Sequence, residues 1–433
     1  VDDDRLEGYR EVVEQFGVTE FLGYTDDTTE SRVLAVLPGG TTDDDTDTVE
    51  IFLDRTPFYA ESGGQVGDTG TIVTVAPDGT SGEARVIDTT FALPGLRRHT
   101  AVVVRGSIQP GSTATAGIDV ARRSAIRRNH TGTHILHYAL RKVLGEHVKQ
   151  AGSLVADDRL RFDFSHYASV TPDEIRQIED IANAETLANA PARVFETTKD
   201  EATALGAIAF FGDKYGDLVR VLEVGNSIEL CGGTHVRAAG DIGTIKVIGE
   251  SSIGSNLRRI EATTGENTVK LLQRDAAQVA EAARLVGTSP DDLVPGVQRR
   301  IDEIKTLTDE VKHLRARLAT GRAAELAACG ADGVVVARVD GLSPGDLRDL
   351  AIAVRQQAGV RSVVLGGLSD TGGVSLVAAV QPSSGTVAGD LIRDAAKAVG
   401  GGGGGKGDIA TAGGKNPEGL DEALRIAEAA ARS

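Results

Sequence analysis

The period of the apolar positions changes repeatedly along the chain, and each change predicts a different kind of element. From Asp2 to Phe16, Leu6, Tyr9, Val12, Val13 and Phe16 recur every three or four positions, the spacing of one helix face. From about Phe21 the texture shortens, and runs at 32–37, 48–53, 71–75, 84–88 and 99–104 predict strands. Gly, Pro and Asp clusters divide them at the regular spacing of a small β-barrel or sandwich. A long helix is predicted from Ala121 to Leu144, stopped by Gly145. Strands at 152–155 and 160–164 follow. The next helix opens at Thr171-Pro172-Asp173-Glu174, with a Thr cap, Pro in the first turn and acids at the positive dipole end. It runs to about Asn189. Strands at 193–196, 218–222, 243–248 and 258–262 complete an α+β unit.

Residues 266–328 carry no strand signal. Two helical runs are split by Gly287-Thr288-Ser289-Pro290. In the second, Val297, Ile301, Ile304, Leu307, Val311, Leu314 and Leu318 step by threes and fours, an approximate coiled-coil seam. A helical hairpin or an intermolecular seam would both use it. From Ala331, strands at 334–338, 361–365 and 374–380 alternate with helices at 344–357, 388–399 and 417–431, an α/β globular domain. The fold class expected is α+β and multidomain. The divisions are a helical tail at 1–20, a small β-barrel at 21–118, an α+β core at 119–263, a helical coiled-coil hairpin at 264–329 and the C-terminal α/β domain at 330–433.

The candidate chemistry sits in two short stretches about a hundred residues apart. His130 and His134 lie in Asn129-His-Thr-Gly-Thr-His134, one turn apart on one face of the predicted long helix. Cys231 and His235 lie in Leu230-Cys-Gly-Gly-Thr-His235, with the same spacing across a Gly-Gly turn that lets backbone approach closely. Three imidazoles and one thiolate make a tetrahedral zinc set, one ion per chain. His137 is a spare, with a core or surface role expected. The glycine-dense stretch Thr56 to Gly70 interrupts the barrel strands, and Thr56, Glu61, Ser62 and Gln65 offer polar groups that could orient a substrate. Six glycines at 400–405, followed by Lys406 and Lys415, read as a backbone cradle for phosphate or as a flexible linker.

Composition narrows the classes. A net charge of −17 over 433 residues argues against non-specific coating of nucleic acid. Local basic groups remain: Arg122, Arg123, Arg127 and Arg128 beside the first stretch, Arg97 and Arg98 before it, Arg258 and Arg259 after the second. Two Cys exclude a disulfide framework. No apolar run reaches the roughly 18–20 residues that cross a bilayer, and the acidic start is unlike a signal peptide. A cytoplasmic setting is expected. With no Met, the chain is expected to be a piece of a longer protein.

Thr56 to Gly70, the His130–His134 pair, Gln150-Ala-Gly-Ser153, Leu160-Arg-Phe-Asp-Phe164, Cys231-Gly-Gly-Thr-His235 and Arg258-Arg-Ile-Glu-Ala262 occur in this order. In that order they resemble the editing domain of bacterial alanyl-tRNA synthetases. The coiled-coil stretch and Ala410-Thr-Ala-Gly-Gly414 resemble that family's C-terminal domain. The resemblance implies a zinc-dependent site that hydrolyses seryl- and glycyl-tRNA(Ala), and a C-terminal region that holds tRNA and supports a homodimer. The family's metal ligands fall on His130, His134, Cys231 and His235, and its pocket loop on Gln65. Thr56 is the candidate for recognising a serine hydroxyl. Arg127, Arg128, Gly402, Gly403, Lys406 and Lys415 are the candidate tRNA contacts. The parent enzyme would attach alanine to tRNA with ATP at a site outside this chain. Gly132 stands where the family more often has Ala, and Ser255-Asn-Leu257 replaces a common Gly-Val. Alternatives are a freestanding deacylase of the same superfamily, a non-catalytic tRNA-binding or dimerisation module with structural zinc, and a phosphoesterase. The last lacks an Asp-His-His cluster.

Overall fold

The first helical face folds as α1, Asp3–Phe16, which buries Tyr9 and Val12 against Phe52 and Leu96. It leads into six antiparallel strands: Thr28–Thr41, Asp47–Leu53, Leu96–Gly106, Ser81–Leu93, Gly70–Val75 and Thr113–Ile118. They hydrogen-bond in that order and close into a barrel. Inside it, Ala84, Ala101, Ala114 and Ala116 interleave with Val33, Ile51, Ile72 and Val86, so that small and large side chains fill a narrow interior. The computed structural model describes residues 3–209, 216–369, 372–405 and 407–433, and divides into two compact units, 1–278 and 279–433. No helix among the described residues is long and apolar enough to cross a membrane.

The remainder of the first unit is built on α2, Val120–Leu144. Asp119 caps it by accepting from Arg122 N, and Gly145 ends it at φ +114°. This helix is buried nearly all round rather than along one stripe, because the barrel, a sheet and the loop at 231–235 all press on it. It packs with α3, Pro172–Ala188, on a four-stranded antiparallel sheet. The strand order is Ile245–Gly254, Leu257–Thr264, Leu160–Ser165, Gln150–Val155. Ile135, Leu136, Leu140, Phe162, Phe164, Ile178 and Ile260 form the shared core. Thr171 and Glu174 make the reciprocal capping box of α3. A second sheet, Arg193–Thr198, Leu218–Val224 and Ser227–Leu230, delivers the chain to Cys231. The short α4, Lys199–Ala204, has its own Thr198–Glu201 capping box; that signal is plain in the sequence but absent from the expected elements.

α5, Gly265–Val286, runs through the division between the units. In the second unit, α6, Leu293–Ala328, carries the apolar seam, and every member from Val297 to Leu318 is exposed. Its last turns bury Ala323 against α7, Pro344–Arg355, and a five-stranded sheet. The sheet order is Val334–Arg338, Ser362–Leu368, Val374–Val380, Ile409–Gly414, Gly402–Gly404, with only the first pair parallel. α8, Ala388–Ala398, and α9, Leu420–Arg432, join a second core, with Leu376, Leu391, Ile392 and Leu420.

The glycine tract differs from its expected form. Gly402–Gly404 is an edge strand paired with Ile409–Gly414, not a flexible linker. Backbone pairing decides this, since glycine has no side chain to express a strand preference and the contact is very close. A Cβ on Gly403 would stand 2.4 Å from Ala412 Cα.

Candidate metal centre

Two elements build the centre. α2 places His130 and His134 one turn apart with their rings stacked, centroids 5.3 Å apart. The loop after Ser227–Leu230 brings Cys231 and His235 against them. This second pair is not helical, and Gly233 is the reason the loop can pass. A Cβ there would lie 2.0 Å from His130 Cε1. The four donor atoms lie within 4.8 Å of one another, and Cys231 Sγ is 3.3 Å from His130 Nε2. Donors around tetrahedral zinc stand about 3.3–3.6 Å apart, so the set needs only a small contraction to hold such an ion.

The outer nitrogen of each ring is held. Gln65 Oε1 accepts from His130 Nδ1 at 2.7 Å, the Glu229 carboxylate accepts from His134 Nδ1, and Thr131 Oγ1 lies 3.4 Å from His235 Nδ1. Carbonyl and carboxylate oxygens can only accept. His130 and His134 therefore carry the proton on Nδ1, which leaves Nε2 for a metal. Nε2 of His235 is buried with no hydrogen-bond partner among the described residues, an unmet need that a cation would satisfy.

Electrostatics point the same way. Burial alone would raise the Cys231 thiol, but His130, His235 and His134 outweigh it and hold its pKa well below the ordinary range. Burial would also raise Glu229, yet His134 and His137 draw it down to about 2. Against burial, Glu229 and Cys231 raise His134 to about 10. Burial pushes His235 down to about 3, opposed by Cys231. A thiolate and a carboxylate thus make the centre hospitable to positive charge, and a divalent cation would replace a proton there.

The pocket loop is fastened to this centre. Gly63 and Gly64 take φ of +60° and +84°, and a Cβ on Gly64 would stand 2.6 Å from Ser153 O. Gly64 O accepts from Val155 N and Val66 N donates to Val155 O, pinning the loop to the strand Gln150–Val155. Gln65 is fully buried. Its Oε1 also accepts from Thr234 N at 2.9 Å, and its Nε2 donates to Thr234 Oγ1 at 3.0 Å. One amide therefore spans both halves of the ligand set. Gln65→Ala is expected to weaken zinc affinity about 10–100-fold, read by competition with a chromophoric chelator. Wild-type affinity would show that His130 does not depend on the amide.

Thr56 is also fully buried. His99 Nδ1 donates to Ile51 O at 2.9 Å, so its Nε2 is the acceptor for the Thr56 hydroxyl at 2.8 Å. Burial lowers His99 to about 4 and keeps it neutral at ordinary pH. Phe58 N donates to Thr56 Oγ1 at 3.2 Å. Glu61 and Ser62 are exposed. His137, the spare, donates Nδ1 to Glu229 Oε1 at 2.8 Å, so one carboxylate holds two rings of α2.

The arginine runs beside the site are largely neutralised. Arg123 is wholly buried on Asp68, Arg122 reaches Asp157, Arg127 reaches Asp27 at 3.4 Å, Arg98 pairs with Glu50, Arg258 with Glu250 and Arg259 with Asp163. Arg128 is half-buried, beside Gly265. Gly402 and Gly403 are exposed on their edge strand. Lys415 lines a cleft of about 520 Å³ with Gly400, Gly401, Gly413 and Gly414. Lys406 lies outside the described residues. The residues missed from the sequence are Glu229, His99 and the Asp68–Arg123 pair. Only Glu229 left a signal: with Ser227 it puts polar groups at alternate positions of a short buried strand.

Three family models match: "tRNA synthetases class II (A)" over residues 3–122, "Threonyl and Alanyl tRNA synthetase second additional domain" over 219–261, and "DHHA1 domain" over 331–433. The chain is 42% identical to alanine–tRNA ligases of Acetivibrio thermocellus, Pelotomaculum thermopropionicum and Anaeromyxobacter dehalogenans, over 94%, 96% and 98% of its own length. It spans about half of theirs, 47–48%. The crystal structure of the C-Ala domain from Aquifex aeolicus alanyl-tRNA synthetase is 29% identical. It aligns with 22% of this chain and 89% of its own, at a TM-score of 0.21.

Proposed function

We infer that the chain belongs with the C-terminal half of the alanine–tRNA ligases, to which it is 42% identical over nearly its whole length. From that premise we propose that it is the editing and tRNA-binding portion of such an enzyme, hydrolysing Ser-tRNA(Ala) and Gly-tRNA(Ala) at a one-zinc centre. In this reading the whole enzyme attaches alanine to tRNA(Ala) with ATP in the cytoplasm. Residues 330–433 hold tRNA, with Gly402, Gly403 and Lys415 near it, and the exposed seam of α6 joins two copies. The observation that carries the reading is the convergence of His130, His134, Cys231 and His235 on one point, with the outer ring nitrogens engaged.

The need for such a site is physical. A pocket shaped for alanine cannot exclude glycine by size, and one methylene discriminates by only about 1–3 kcal/mol. A second site that hydrolyses the wrong ester removes the error. Zinc bound there would supply Lewis acidity and orientation to the ester. Gln65 keeps His130 and the Cys231–His235 loop in register, and the exposed Gly232 leaves room for backbone to meet a substrate. Thr56 spends its proton on His99 and accepts from Phe58 N; being fully buried, it can offer its remaining lone pair to a serine hydroxyl only if the loop around it opens.

A second reading has one observation in its favour. Four protein ligands complete a tetrahedral zinc site, and complete sites are structural. Incubating the chain with Ser-tRNA(Ala), with zinc bound and after chelation, decides between them. Hydrolysis lost on chelation, with circular dichroism unchanged, supports a metal that takes part. Hydrolysis that persists assigns the metal to structure, and no hydrolysis by the zinc-loaded chain rejects the editing reading.

A further inference from the structure

Against the Cys231–His235 loop lies a group of rings and guanidinium groups that the metal centre does not use. Tyr24 Oη donates to Gly232 O at 2.7 Å. Its ring is covered by Arg220, whose Cζ stands 3.7 Å from the centroid and whose Nη1 donates to Cys231 O and Gly233 O. Phe21 meets Tyr24 edge-on at 4.8 Å. Arg97 lies over Phe21 at 4.4 Å and over Phe91 at 5.1 Å. Phe91, Arg97, Phe21, Tyr24 and Arg220 thus form a continuous ladder that ends at the metal loop. Its two outer rings are open to solvent, Tyr24 at 43% and Phe91 at 39%.

The charges of this ladder have no acidic partner among the described residues. In a chain of net charge −17, neither Arg97 nor Arg220 is ion-paired among the described residues, whereas Arg98 pairs with Glu50 and Arg193 with Glu223. Both are half-buried, and Arg97 Nε is sealed with no hydrogen-bond partner. A cation withdrawn from water without a counter-ion is unfavourable, and an anion from outside would relieve it. Burial accordingly pulls the Arg97 pKa below its ordinary value. Ring faces combined with guanidinium groups suit unstacked bases on a phosphate backbone. A duplex would hide its base faces, and an acidic peptide would have no use for the rings.

We propose that this ladder seats the unpaired 3′ end of an RNA, with bases on the Tyr24 and Phe91 rings and phosphates at Arg97 and Arg220. The terminal ribose is then directed to the loop of Cys231. The proposal rests on the ester-hydrolase reading for its purpose, but its binding test does not require hydrolysis.

The test is fluorescence anisotropy of the zinc-loaded chain with a labelled four-nucleotide single-stranded RNA ending in a free 3′ adenosine. A blunt-ended RNA hairpin and a tetraglutamate peptide are the comparators. The single strand is expected to bind about tenfold tighter than either. Phe91→Leu and Tyr24→Leu are each expected to weaken it about tenfold, the effect of losing one stacked base. Arg97→Gln should lower the salt slope of log Kd by about 0.7, one phosphate contact on a single strand. Phe91 and Arg97 touch no metal ligand, so zinc content should stay at the wild-type value in those two variants. Unchanged affinity in both Phe91→Leu and Arg97→Gln, or equal binding of the hairpin or the peptide, overturns the proposal. Strong single-strand binding by a chain that fails to hydrolyse Ser-tRNA(Ala) would leave this surface standing and reject the hydrolase reading alone.

Discussion

Cys231→Ala is expected to take zinc from about one ion per chain to near none and to slow Ser-tRNA(Ala) hydrolysis at least about a hundredfold. Outer-shell partners alone typically change affinity or activity 10–100-fold, and a lost ligand exceeds that. Cys231 is the one ligand that carries charge, its thiol held well below the ordinary pKa by the surrounding imidazoles once burial is overcome. Its removal leaves only the imidazoles of His130, His134 and His235 as donors and takes away the anion that offsets the cation. Cys329 is exposed and lies in the other compact unit, so Cys329→Ala should change neither quantity and serves as the control. Metal analysis of the purified variants and a deacylation time course make the check. A Cys231→Ala chain with full zinc and wild-type hydrolysis would end the metal-centre reading.

The second large effect concerns stability. Arg123→Ala should destabilise the first compact unit by about 3–5 kcal/mol, seen as a lower midpoint in urea unfolding. Arg123 is fully buried on α2. It grips Asp68 with Nε and Nη2, and donates to Gly23 O at 2.7 Å and Pro57 O at 2.9 Å. Truncation leaves a buried carboxylate and two carbonyls without their donor. It also frees the loop that carries Gln65, because Asp68 Oδ2 accepts from Tyr59 N at 2.7 Å. Adding Asp68→Asn should recover part of the loss, since the amide removes the orphan charge and can still accept from Tyr59. If the single variant unfolds at the wild-type midpoint, the pair does not hold the loop to the helix.

Much of the site was legible because its signal is local. The spacing of His130 to His134 puts two imidazoles on one helix face wherever that helix lies, and Gly232-Gly233 announces a tight passage before His235. The Thr171 cap and the Pro172 first turn are equally local, and they start α3 as expected. Other features could not be read this way. Glu229 meets His134 across 95 residues of chain, and His99 meets Thr56 across 43. Arg123 sits in a run of arginines that looks like a basic patch. Only its buried position on α2 separates it from Arg122 and Arg127, which reach the surface.

By itself, the sequence determined the mixed α+β multidomain character and singled out the four side chains, His130, His134, Cys231 and His235, that the fold brings together. Periodicity and ligand spacing are written in neighbouring residues and survive any arrangement of the whole. The tertiary structure alone decided what each side chain faces. It turned the glycine tract into an edge strand through backbone pairing, which side-chain preferences do not encode. It converted most of the local basic groups into ion pairs, and among the described residues it left Arg97 and Arg220 without one. A charge counted along the chain has no direction. Burial and the nearest opposite charge give it one, and both exist only once distant segments are packed together.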